Sequence, residues 1–172
     1  MYYVDQRYRT YIPFDLTRYI PGLDTFNFNQ LNKGWDFIIP LDSANFLTIK
    51  KYLAKNGFPK IAQVGRRQAR TIPYIMLHNP DTLTLRSYLA VMKENCLTGD
   101  AEWDLYAMMF DRLQLIKGLP QHYGTQYVYL DPEETQMTFY KFDSIDAVNA
   151  RRRSIGMSAI LDPDEIVNVR HH

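Results

Sequence analysis

Residues 81–120 read DTLTLRSYLAVMKENCLTGDAEWDLYAMMFDRLQLIKGLP. Asp81 can offer a carboxylate to the free amides of a first helical turn, and Leu85, Tyr88, Leu89, Met92 and Cys96 then share one face before Gly99. Asp100 is placed to cap a second helix. Its Tyr106, Met109, Phe110, Leu113 and Ile116 point inward, and Gly118 and Pro120 close it. This pair sets the expected architecture: a mainly α (α+β) chain, built as a helical bundle with a small antiparallel β-hairpin near its C-terminal end.

Upstream, Asp42 or Ser43 can cap a helix whose stripe is Phe46, Ile49 and Leu53. Lys50, Lys51 and Lys55 lie toward its end, and Gly57 and Pro59 stop it. A further helical run from about 65 to 77 contains Pro73, which must kink it or divide it. Val4, Tyr8 and Tyr11 or Ile12 give a short first helix ending at Pro13. Between these lies an irregular stretch, about 13–41, punctuated by prolines and glycines and carrying Phe26, Phe28, Trp35 and Phe37. Such a connection suits a binding loop or lid, or a wrapped segment pinned by its aromatics. Downstream, 126–130 and 137–142 are rich in aromatic and β-branched residues around a turn at 131–134, which gives the hairpin. Ser144 caps a short helix to Arg153, and Asp162-Pro163-Asp164 offers a start for a final one.

The chain has 172 residues, 46% of them hydrophobic, enough for one well-filled core, so residues 1–172 are expected to form one domain. Twenty basic against nineteen acidic side chains leave a net charge of +1, which gives no general attraction to nucleic acid. One cysteine excludes an internal disulfide. No window offers the roughly 20 apolar residues of a membrane helix. A soluble chain is expected, cytoplasmic or exported with its signal peptide removed. A dense motif only four residues from the start also suits a piece of a longer protein.

The standard reaction signatures do not occur. There is no calcium loop, phosphate-cradling glycine loop, dinucleotide fingerprint or nucleophile elbow. Apart from the closing pair at 171–172, the histidines are His78 and His122, too few for a metal site with one thiol, so no metal or cofactor is implied. Cys96, on an apolar stripe, reads as a core residue rather than a nucleophile.

Four polar clusters remain, with Gln121-His122-Tyr123-Gly124-Thr125-Gln126 the densest. A run of hydroxyls and amides around one glycine, at a helix-to-strand junction, suggests either a binding surface or a satisfied polar corner. Asp5, Gln6 and Arg9 lie within one helical turn. A surface ion pair worth a few tenths of a kcal/mol explains the spacing, and the functional alternative has Asp5 orienting the Arg9 fork. His78 sits at a helix corner, as a cap for carbonyls or as a general acid or base. Arg112, roughly 100° around its helix from Asp111, falls at the border of the buried face. Of Arg151, Arg152 and Arg153, at most two can serve one pocket, since consecutive helix positions diverge.

Together these clusters resemble a bacterial family known as a domain of unknown function. Its pattern is an early Asp-Gln-x-x-Arg (Asp5, Gln6, Arg9), Gly-x-Pro (Gly57, Pro59) and a following Val-Gly (Val64, Gly65). A helix-end histidine (His78), Asp-Arg (Asp111, Arg112), Gln-x-Tyr-Gly-Thr-Gln (121–126) and Arg-Arg before glycine (Arg151, Arg152, Gly156) complete it. The His78 neighbourhood departs from the pattern: Leu77 stands where glutamine is expected, and Asn79 where a small residue is. The resemblance implies one shared polar site and no particular reaction.

The resulting expectation is a pocket formed by Asp5, Gln6, Arg9, His78, Arg112, Gln121, Tyr123, Thr125, Gln126 and Arg152, holding an anionic or carbonyl-rich small molecule. If it is catalytic, His78 is the acid or base and Arg9 or Arg112 the charge stabiliser, in metal-independent hydrolysis or group transfer. The alternative is a non-catalytic protein-interaction module, with a partner on the 13–41 loop and the polar motifs as internal scaffolding.

Overall fold

The computed structural model of the chain describes residues 34–77, 81–130 and 136–168. The helix expected at the N-terminus and residues 13–33 of the irregular stretch lie outside them. Helix α1 spans Gly34–Asn56, so residues 34–41 are helical and the start is neither Asp42 nor Ser43. Pro40 lies inside α1. Its missing N–H removes one backbone bond, which a 23-residue helix carries. A proline that read as a stop is therefore tolerated within the element.

After α1 the chain folds into short pieces, α2 (Ile61–Val64), α3 (Arg66–Ala69) and α4 (Thr71–Leu77). The expected division of the 65–77 run occurs at Arg70, and Pro73 falls in the first turn of α4, where its lost donor costs least. Five of the seven α4 residues are buried: Ile72, Pro73, Ile75, Met76 and Leu77. A helix apolar on so many sides belongs in the centre. It packs against both α1 and α6.

Helices α5 (Thr82–Leu97) and α6 (Trp103–Ile116) form the closest pair. Asp81 caps α5, accepting from the amides of Leu83 and Thr84 at 3.1 Å, and all five residues of the expected stripe are buried. In α6, Tyr106, Met109 and Leu113 are buried as expected, whereas Phe110 is half-buried and Ile116 exposed. Asp100 does not cap α6. Its carboxylate pairs with Lys60 at 3.2 Å and its carbonyl accepts from the Ile61 amide, while Glu102 precedes the helix without a side-chain cap bond. Glu102 instead binds Arg66 and Arg70, and Asp104 also binds Arg70. Acids at the start of α6 thus pin the α2–α4 corner to it.

The C-terminal part forms a three-stranded antiparallel sheet, β1 (Tyr127–Tyr129), β2 (Gln136–Phe139) and β3 (Ile166–Asn168), in that order. Tyr127 pairs with Phe139, and Met137 with both Tyr129 and Val167. The expected hairpin gains a third strand where a last helix had been expected. Asp162 accepts from the Asp164 amide in a tight turn, and β-branched Ile166 and Val167 continue as strand. Between β2 and β3, helix α7 (Ile145–Ser154) is capped by Ser144, which accepts from the Ala147 amide. Among the described residues, no helix is long and apolar enough to cross a membrane.

Candidate functional site

The polar run after α6 is built around one buried carboxylate. Asp111 is fully buried and lies one turn beyond the equally buried Ala107. Its oxygens accept from the amides of His122 (2.6 Å), Tyr123 (3.0 Å) and Thr125 (3.0 Å), and from the Thr125 hydroxyl (2.9 Å). Successive amides can converge on one acceptor because Gly124 turns the chain with φ of +64°, a conformation glycine adopts without steric cost. Burial pushes the Asp111 carboxyl above the usual carboxylate range, and the four donations pull it back.

Gln121, also fully buried, has its whole hydrogen-bonding capacity in use. Its Nε2 donates to the carbonyls of Gln126 (3.0 Å) and Tyr140 (2.6 Å), and its Oε1 accepts from the amides of Thr125 (2.7 Å) and Gln126 (2.8 Å). The Gln126 side chain reaches back to the Met108 carbonyl at 3.2 Å.

The loop carbonyls are taken up from the other side by the last turn of α7. Arg151 Nε donates to the His122 carbonyl at 2.7 Å. Arg152 Nη1 donates to that of Tyr123 at 2.7 Å, while its Nε donates to Ser158. Arg151 also lies 3.6 Å from Asp143. Arg153 is exposed. Two of the three consecutive arginines therefore reach one loop.

The loop side chains that leave this network are aromatic. Tyr123 is buried edge-on to Tyr106 and Phe110, at ring distances of 6.3 and 5.9 Å. Burial, then the neighbouring Tyr106, raises its hydroxyl to about 12. The half-buried His122 ring lies 5.2 Å from Phe110 and 4.8 Å from Tyr123. Burial, followed by the Arg151 charge, lowers its imidazole below the ordinary 6.5. The unfolded chain then binds a proton more readily than the folded one. Stability present above 6.5 is lost as pH falls from there toward the folded value. An NMR titration should place the His122 midpoint below 6.5, and His122→Leu should weaken the acid-side loss of stability; a midpoint above 6.5 would reverse the sign.

Of the expected pocket residues, Gln121, Tyr123, Thr125, Gln126 and Arg152 come together in this assembly. Arg112 is half-buried, one residue from Asp111, and makes no hydrogen bond or ion pair among the described residues. Asp5, Gln6, Arg9 and His78 lie outside the described residues. Asp111, the centre of the arrangement, was named in the sequence beside Arg112 without a role of its own. The available signal was its spacing of four from Ala107, which puts an acid on the inward arc shortly before a donor-rich glycine loop. Arg151 had no signal separating it from Arg152.

No curated protein and no solved structure matches the chain. A family model described as a family of unknown function, DUF6624, matches residues 32–168, which include every element from α1 to β3. The chain therefore belongs to the DUF6624 family.

Proposed function

We propose that the domain binds an anionic or carbonyl-rich small molecule beside the 121–126 loop. The observation that carries this reading is a division among the polar groups. Gln121 and Arg152 are committed to carbonyls of the loop, Thr125 to Asp111 and Gln126 to the Met108 carbonyl, whereas the Arg112 guanidinium and the Tyr123 hydroxyl have no hydrogen-bond partner among the described residues. With no acceptor of its own among the described residues, the planar fork of Arg112 is free to meet a carboxylate or phosphate. The first set then preorganises the loop for ligand, and the second set contacts it. In this reading Asp5, Gln6, Arg9 and His78 complete the pocket. Its catalytic form, a metal-independent hydrolase or transferase, has His78 as acid or base and Arg112 or Arg9 stabilising charge.

Thermal shift against nucleotides, sugar phosphates and carboxylates tests the proposal. A ligand at about 100 times its Kd adds about 2.7 kcal/mol of stability. Arg112→Ala should weaken such a ligand by about tenfold or more, the size of a charged hydrogen bond, while leaving the unliganded melting point nearly unchanged. If no anionic compound stabilises the wild type, the reading fails.

The second reading, a non-catalytic interaction module with the polar motifs as scaffolding, is favoured by the complete internal pairing of Gln121. It predicts that Arg112→Ala alters no small-molecule binding.

A further inference from the structure

The two banks of a groove away from the 121–126 loop carry a charge imbalance that the near-neutral whole chain hides. Residues 43–77 contain no aspartate or glutamate, while lysine or arginine stands at 50, 51, 55, 60, 66, 67 and 70. Acids near the start of α6 pair with Lys60, Arg66 and Arg70. Lys51 and Lys55, on the exposed side of α1, have no acidic partner among the described residues.

Between α1 and α2–α4 lies an open groove of about 250 Å³. Its buried floor is Ile49, Pro59 and Ile72, and its half-buried walls include Val64 and Thr71. Tyr52 and Gln68 stand exposed at the rim. Thr48, another rim residue, already donates its hydroxyl to the Ala44 carbonyl. The lining thus offers apolar contact and little competing hydrogen bonding. Lys55 follows Thr48 by seven positions and Lys51 by three, so helix geometry puts both residues on the Thr48 side of α1, outside the lining but within reach of the rim for a four-carbon side chain.

We propose that this groove binds a small amphiphile carrying one negative charge, an aryl or medium-chain carboxylate. Its apolar part lies on Ile49, Pro59 and Ile72, and its carboxylate faces Lys55 and Lys51. The volume sets the size class: an apolar cavity of about 150 Å³ accommodates benzene, so this groove takes a somewhat larger ring system or a chain of comparable bulk. The uncompensated lysines set the sign of the charge. Apolar burial supplies affinity, and the charge supplies discrimination.

Titrating the full chain with octanoate, 3-phenylpropionate and octylammonium, followed by NMR of the 48–72 amides and by calorimetry, tests the assignment. Saturable octanoate binding is expected, about tenfold tighter than octylammonium of the same chain length and weakening as salt rises. Gln68→Trp, at an exposed rim position, should abolish octanoate binding without lowering the melting temperature. Lys55→Glu should weaken it roughly fivefold, and adding Lys51→Glu should weaken it further. Equal affinity for the anion and the cation would overturn the proposal, as would octanoate shifts confined to other amides. Absence of saturable binding would also overturn it, whether the groove is then filled by the chain's own N-terminal residues or by a second copy, which sedimentation velocity would reveal.

Discussion

Replacing Asp111 with alanine should destabilise the fold by about 3–5 kcal/mol, the range for removing one member of a buried charged network. The His122 and Tyr123 amides and the Thr125 hydroxyl lose this acceptor where Asp111 is fully buried, while the Thr125 amide keeps only Gln121 Oε1. Arg151 and Arg152, which hold the carbonyls of the same loop, would remain with no anion at its centre. For a chain of this length the loss corresponds to a fall in Tm of about 6–20 °C. Asp111→Asn should fall between wild type and alanine. It keeps one acceptor oxygen for His122 and Tyr123 but sets an amide N–H₂ against the Thr125 amide. Urea unfolding followed by circular dichroism measures both, and hydrogen exchange at 122, 123 and 125 locates the damage. A loss under about 1 kcal/mol for the alanine variant would mean that the loop holds its shape without this carboxylate.

The second large effect is expected at Gly124. With φ at +64°, any side chain there is strained by about 1–2 kcal/mol. A Cβ would also stand 2.5 Å from Ile160 Cδ1 and 3.3 Å from Val148 Cγ1. Val148 is fully buried in α7, and Ile160 is tied in place by two hydrogen bonds between its backbone and Asn149. Ile160 can swing its terminal carbon but its main chain cannot retreat, so Gly124→Ala should cost about 2–4 kcal/mol in all. Gly156 supplies the control. Its φ is +75°, yet nothing lies within 4 Å of an added Cβ, so Gly156→Ala should show the backbone component alone. Equal melting temperatures for the two variants would remove packing against Ile160 and Val148 from the account.

Much of the fold was legible because it rests on local periodicity. The α5 stripe, its Asp81 cap, the Ser144 cap of α7 and the strands on either side of 131–135 follow from side-chain spacing and cap chemistry. Three departures stand out. Pro40 read as a break but lies within α1, Asp100 read as a cap but pairs with Lys60, and Asp162-Pro163-Asp164 read as a helix start but turns the chain into β3. Asp100 and the 162–164 segment answer to partners distant in sequence, Lys60 and strand β2, whereas Pro40 is carried by the length of α1. The polar cluster itself was recognisable, but the direction in which each group points was not. Gln121 and Gln126 have the same side-chain chemistry, and only the neighbouring backbone determines which one is completely enclosed.

From composition and spacing alone came the helices over 81–116, the small C-terminal sheet region and the concentration of hydrogen-bonding groups at 121–126. Tertiary structure alone decided that Asp111 rather than Arg112 is the enclosed partner, that adjacent arginines of α7 close the loop from behind, and that α1 and the α2–α4 pieces enclose an apolar groove. The physical reason is range. Amphipathic periodicity is encoded within a few residues, whereas a buried charge is tolerable only when donors from remote segments converge on it, and that convergence exists only in the folded chain.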